Sequence, residues 1–271
     1  MSRAAPGRTT PARAGGVRRL GIITPSSNSV LEPTTIAVTS PLYPRVSTHY
    51  TRIEVKTISL EAESLAHFEV QHFVRAAQLL ADARMDVIAW NGTAGAWQGI
   101  ASDTAMCEAI TQATGVPATT STLAQLQAFE QYGISRYALA VPYLTSVRDA
   151  IVRTFASCGL VCAGSAALEI STNAAFAEVP AATIRELVAR ADRPDAEAIA
   201  IICTNLPAAW LVTELEQTHA KPVFDSTLVT IWHALRLAGL HDVLDGWGDL
   251  FRHPLEVGPA RGPVRFTLER G

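Results

Sequence analysis

A chain of 271 residues, 48% of them apolar, can bury a sizeable core as one large domain or two smaller ones. Its formal charge of −3 at pH 7, with no basic patch interleaved with aromatics, argues against a nucleic-acid partner. No run of about 18 apolar residues occurs, so neither a membrane span nor a membrane partner is expected.

Residues 1–17 are expected to form a disordered basic tail: Arg3, Arg8 and Arg13 carry its charge, and Pro6 and Pro11 break any helix. It has no apolar h-region, so no secretory signal is expected and the location expected is cytoplasmic. Arg19 to Thr24 predicts a first strand, broken by the turn formers Pro25-Ser26-Ser27-Asn28. Asn28 to Val38 is ambiguous, with Pro33 near a helix start. Val46 to Val55 is rich in β formers and predicts a second strand. From Leu60 to Ala83 the apolar residues Leu65, Phe68, Phe73, Ala76, Leu79 and Leu80 recur at helical spacing, interrupted by Glu69 and His72. Glu61, Glu63 and His67 belong to its solvated side. Asp86 to Trp90 predicts a third strand opening into Asn91-Gly92-Thr93-Ala94-Gly95. Ser102-Asp103 predicts a helix cap. Val116 to Thr120 follows as a short strand, and Ser121 as the cap of the next helix.

The pattern then repeats. Arg136 to Val141 predicts a strand broken by Pro142-Tyr143, as the first broke at Pro25-Ser26. Helices are expected over Thr145 to Ala156 and Ala181 to Arg193, with a strand near Leu160 between them. The apolar run from Ala198 ends in Cys203-Thr204-Asn205, as the third strand ended in Asn91-Gly92-Thr93. Lys221 to Asp225 parallels Val116 to Thr120, and the helix from Thr227 to Leu240 is expected to pack back on the first half. Continuous apolar runs are the mark of parallel strands buried on both faces. Their alternation with helices implies an α/β chain of two pseudo-symmetric, doubly wound parallel-sheet lobes, flavodoxin-like, with a cleft between them for the active site. The division expected is residues 18–122 plus about 226–250 for the first lobe, 123–225 for the second, and 251–271 as a C-terminal extension.

Ligands in such folds sit beyond the carboxyl ends of the strands. Cys203 lies there, where the positive end of a following helix would lower its pKa and make it a proton carrier; equally it is a buried strand thiol. The 91–95 loop exposes backbone N–H groups and the Thr93 hydroxyl, a nest for a carboxylate or enolate oxygen, or an ordinary turn. Ser26 and Asn28 offer uncharged donors, and the Tyr143 phenol stands at the equivalent point of the second half. Trp90, Trp97 and Phe176 are either an apolar wall of the site or core. The four cysteines, Cys107, Cys158, Cys162 and Cys203, form no CxxC, and the seven histidines no HExxH, so no metal site is expected. No GxSxG motif is present, which disfavours a serine hydrolase.

These motifs together resemble the aspartate/glutamate racemase superfamily, in the branch of maleate cis-trans isomerase and arylmalonate decarboxylase, from about Arg19 to Gly239. Pro25-Ser26-Ser27-Asn28 with Leu31-Glu32 resembles the isomerase, Gly92-Thr93 the decarboxylase, and Gly115 to Ser121 and Ala138 to Tyr143 both. The resemblance implies a cofactor-independent enzyme of a small carboxylate or dicarboxylate; a homo-oligomer is left open. The superfamily's racemases and isomerases use two cysteines. Cys203 matches the second, and Gly92 stands at the first, as in the decarboxylase. The resemblance therefore implies Cys203 as the single proton donor to an enediolate. Thr93, Tyr143 and the backbone near Ala94 and Thr204 would hold that enediolate. Asn28 and Asn173 match substrate-binding positions of the isomerase. A cis-trans isomerase or racemase, and a carboxylate binder without catalysis, are the alternatives.

Overall fold

The computed structural model describes residues 16–252. The expected tail and C-terminal extension therefore lie almost wholly outside the described residues. The elements follow in chain order: β1 (Arg18–Pro25), α1 (Leu31–Thr39), β2 (Val46–Ile53), α2 (Ala62–Ala66), α3 (Val70–Ala81), β3 (Val87–Trp90), α4 (Gly95–Gln98), α5 (Ile100–Thr114), β4 (Ala118–Thr120), α6 (Ser121–Tyr132) and β5 (Arg136–Val141). Then come α7 (Thr145–Ala156), β6 (Val161–Ala167), α8 (Asn173–Phe176), α9 (Ala181–Ala191), β7 (Ala198–Ile201), α10 (Val212–His219), β8 (Val223–Asp225) and α11 (Ser226–Leu237).

The strands form two four-stranded sheets with the orders β2-β1-β3-β4 and β6-β5-β7-β8. Every pairing within them is parallel. The two halves thus share one topology, and the repeat expected from the apolar runs is a repeat of fold. β3 and β7 are buried along their whole length, which is why they read as unbroken apolar runs. In each sheet the chain reverses direction of travel between the two central strands, β1 and β3 or β5 and β7. The loops leaving those strands part from each other and open a crevice. They carry Ser26 to Asn28, Asn91 to Gly95, Pro142-Tyr143 and Cys203.

Several local expectations change. The stretch from Leu60 to Ala83 is two helices, because the chain turns extended at Glu69, the residue before α3. α5 begins before Asp103, which lies inside the helix and buried. The cap of α6 is Thr120, whose Oγ1 accepts from the Leu123 N–H at 3.1 Å, with Ser121 already helical. The expected 122/123 division falls within α6. Phe129 of that helix packs on Tyr137, Phe155 and Phe224 of the second lobe, while the Ser121 hydroxyl accepts from Thr230 of α11 at 2.7 Å. α6 and α11 are therefore the joint between lobes.

Asp225 caps α11, its Oδ1 accepting from the Thr227 and Leu228 N–H groups at 2.9 and 3.0 Å. Its Oδ2 has no hydrogen-bond partner, and burial pushes its pKa up to about 7 from an ordinary 3.8. Between those values the folded protein binds more protons than the unfolded chain, so this group's contribution to stability falls as pH rises. Asp225→Asn keeps the cap and removes the charge. Its stability relative to the parent should grow from pH 4 to about 7 and stay constant above. Denaturant unfolding at pH 5, 7 and 8.5 checks this; a pH-independent difference would contradict it.

Candidate active site

Cys203 stands two residues past β7 and is 1% exposed. Its sulfur accepts hydrogen bonds from the Tyr143 hydroxyl and from the backbone N–H groups of Asn205 and Leu206. The Tyr143 hydroxyl also shares a hydrogen bond with Thr93 Oγ1 at 2.8 Å. Thr93, Tyr143 and Cys203 thus form one buried line from the first lobe into the second. Tyr143 is held edge-on between Trp97 and Phe176, at ring separations of 5.4 and 5.3 Å. Those two aromatics flank Tyr143, and Trp90, beside the 91–95 loop, packs against Phe73.

The thiol is not activated by a helix. Turn residues and a short 3-10 turn over Ala209–Leu211 separate it from α10. Burial outweighs the three hydrogen bonds and pushes its pKa up to about 12. The expected lowered pKa is therefore corrected: the group is a protonated thiol across the physiological range. Its thiolate absorbance near 240 nm should stay absent from pH 7 to 9, against denatured protein titrating near the ordinary value of 9. Appearance below pH 9 of such absorbance in the folded parent but not in folded Cys203→Ala would overturn the assignment, the other three free cysteines being common to both.

The 91–95 loop is held from behind. The Asn91 N–H donates to the Ile23 carbonyl at 3.1 Å, and the Asn91 side-chain oxygen accepts from the Ser121 hydroxyl at 3.3 Å. The Gly95 N–H and the Thr120 hydroxyl both donate to Asp103. A Cβ at Gly95 would lie 2.1 Å from the Asp103 carboxyl carbon, so glycine is required for that approach. Burial raises the Asp103 pKa to about 6. Ala94 immediately precedes α4 and is buried, leaving its backbone as its polar group at the site.

On the other side, Asn28 Nδ2 donates to Thr204 Oγ1 at 3.2 Å, and its Oδ1 accepts from the Val30 and Leu31 N–H groups, both at 2.9 Å. Asn173, at the start of α8, donates from Nδ2 to Ser27 Oγ at 2.8 Å. Ser26 is the exception. It is exposed, and its hydroxyl bonds the Val55 backbone, accepting from the N–H at 3.1 Å. Ser27, its neighbour, joins the cluster instead. Asn205 was not singled out in the sequence. Its Oδ1 accepts from the Ser29 and Val30 N–H groups at 3.0 and 3.3 Å, and its Nδ2 donates to the Asn173 carbonyl at 2.7 Å. It clamps the start of the first lobe to the Cys203 loop. The one signal for it was its place two residues after the thiol.

Among the described residues no group of three or more His, Cys, Asp or Glu side chains is placed to hold a metal ion, and no helix is long and apolar enough to cross a membrane. A cavity of about 960 Å³ bordered by Cys107, Phe129, Cys158 and His233 includes none of the residues around Cys203. That cavity is thus separate from the hydrogen-bonded line Thr93–Tyr143–Cys203.

The family model for arylmalonate decarboxylase matches residues 20–251, nearly the whole described chain. The chain belongs to the arylmalonate decarboxylase family. Among its relatives is the arylmalonate decarboxylase of Bordetella bronchiseptica, 34% identical over 145 residues, which span 53% of this chain and 60% of that protein. Maleate isomerase from Pseudomonas putida S16, solved as a cysteine-to-alanine variant with maleate, superposes with a TM-score of 0.79 at 27% identity, covering 87% of this chain and 97% of that one. A glycine-to-cysteine, cysteine-to-serine double mutant of arylmalonate decarboxylase, in a liganded form, superposes with a TM-score of 0.77 at 27% identity, covering 87% and 99%. An arylmalonate decarboxylase and a maleate isomerase thus share one two-lobed fold with this chain.

Proposed function

We propose that the protein is a cofactor-independent decarboxylase of a substituted malonate-type diacid. The observation that supports it is the line Thr93–Tyr143–Cys203: one protonated thiol beside two hydroxyl donors, with Gly92 where a second thiol would stand. Breaking the bond from the α-carbon to one carboxylate releases CO₂ and leaves its electron pair delocalised into the remaining carboxylate as an enediolate. Thr93, Tyr143 and the backbone N–H groups near Ala94 and Thr204 donate to its oxygens. An oxyanion-hole donor of this kind contributes roughly 3–4 kcal/mol. Cys203 then delivers its proton to the α-carbon. The resulting thiolate is received by the Asn205 and Leu206 N–H groups and the Tyr143 hydroxyl, which already point at the sulfur. Solvent water restores the thiol. A thiol with a pKa of about 12 keeps its proton until a carbanion-like carbon presents itself.

A second reading is favoured by the carboxamides. Asn28 and Asn173 bring amide donors to the Cys203 side of the cleft, suited to a second carboxylate, and a relative was solved with maleate. On that reading the enzyme is a cis-trans isomerase or racemase of a small carboxylate. Proton NMR in D₂O separates the two. Phenylmalonate or methylmalonate should yield CO₂ and a singly α-deuterated acid. Fumarate from maleate, with the malonates untouched, would replace the decarboxylase by the isomerase. Carboxylate binding without turnover of either would leave a non-catalytic binder.

A further inference from the structure

The place of Gly92 is not empty. A Cβ built there would lie 2.2, 2.3 and 2.8 Å from Cζ2, Cε2 and Cη2 of Trp90. Trp90 ends β3 two residues earlier, on the same side of the extended chain. Its indole cannot easily withdraw. It is 1% exposed and meets Phe73 of α3 edge-on at 4.9 Å. Its backbone is paired with Ile23 on one side and Thr120 on the other. A buried ring, carried on a backbone paired at both edges and packed on Phe73, therefore fills the volume that any side chain at 92 would need.

We propose that Trp90 is a specificity-determining residue: its indole excludes a second acid–base side chain at position 92 and so commits the site to proton transfer on one face, from Cys203. This rests on the single-thiol reading of the site. Gly92 and Trp90 then act as a pair. Gly92→Cys by itself does not make a two-base site, because the new sulfur has no room; cutting Trp90 to Leu opens that room while keeping an apolar strand residue.

The test is a double-mutant cycle on the full chain: Gly92→Cys, Trp90→Leu and the two together, with Gly92→Ala as the Cβ-only control. Overpacking should lower the melting temperature of Gly92→Ala and Gly92→Cys by on the order of 5 °C, or prevent folding. The loss should largely vanish in the Trp90→Leu background, where the combined change is smaller than the sum of the singles. Racemisation of 2-phenylpropionate, an acid with a stereogenic α-carbon, followed by α-deuterium exchange of each enantiomer, should rise at least about tenfold in the double variant over either single. Additive melting temperatures, or a stable Gly92→Cys protein that racemises with Trp90 intact, would overturn the proposal. Deuteration without facial preference during decarboxylation by the parent enzyme would instead count against the Cys203 reading, and the stability cycle would still decide whether Trp90 holds the space.

Discussion

Cys203→Ala should lower decarboxylation by about 10²–10⁴-fold, the range for loss of a positioned general acid. The sulfur is buried at the end of the Thr93–Tyr143 line, so no other thiol substitutes: Cys107, Cys158 and Cys162 lie elsewhere in the fold. The effect belongs in kcat, since a group that acts by giving up a proton to the developing carbanion contributes little to ground-state binding. Deuterium should still enter the product from D₂O in the alanine variant, but without facial preference, because water then protonates the enediolate. Cys203→Ser keeps a hydroxyl within reach of Tyr143 and the Asn205 and Leu206 N–H groups. It should retain the fold and bind substrate while remaining far slower than the parent, its alcohol being a weaker acid. Coupled CO₂ release with chiral analysis of the deuterated acid measures both. Undiminished turnover in Cys203→Ala, or retained facial selectivity, would remove Cys203 as the donor.

Tyr143→Phe should cost about 10²–10³ in kcat with the ring still in place. Trp97 and Phe176 hold that ring edge-on, so the substitution deletes the oxygen and little else. What is lost is a donor to the enediolate and, in the same atom, a donor to the Cys203 sulfur. Thr93→Val removes the neighbouring hydroxyl and should cost a similar factor. Because the two oxygens are 2.8 Å apart and share a proton, the double variant should lose less than the product of the singles. Steady-state kinetics on all three, with melting curves to confirm folding, carry the comparison. Unchanged kcat in Tyr143→Phe would place the enediolate elsewhere in the cleft.

The contrast between Ser26 and Ser27 shows where reading residues alone stops. Both are turn formers after the same strand, and the sequence supports either as a site residue. Both hydroxyls meet the Val55 backbone, but only Ser27 also accepts from the Asn173 side chain, 146 residues away, which brings it into the cluster. Asp103 is a similar case. In sequence it is a cap-forming residue; in the fold it lies inside α5 and receives the back of the 91–95 loop and Thr120 of the next strand. Asn205 had no pattern of its own, because its partners Ser29, Val30 and Asn173 come from distant segments.

By itself the sequence determined the α/β class, the repeat of two parallel lobes and the loops that end their strands, while the pairing of one thiol with a glycine came from the resemblance to the family. The class, the repeat and the loops are written in local periodicity and in strand-ending turns, which need no knowledge of distant residues. The tertiary structure decided the rest. Burial reversed the expected direction of the Cys203 pKa, because desolvation sums over everything packed around the sulfur. The space at Gly92 was likewise a matter of packing: the sequence shows only that a side chain is absent, and the fold shows the Trp90 indole standing in its place.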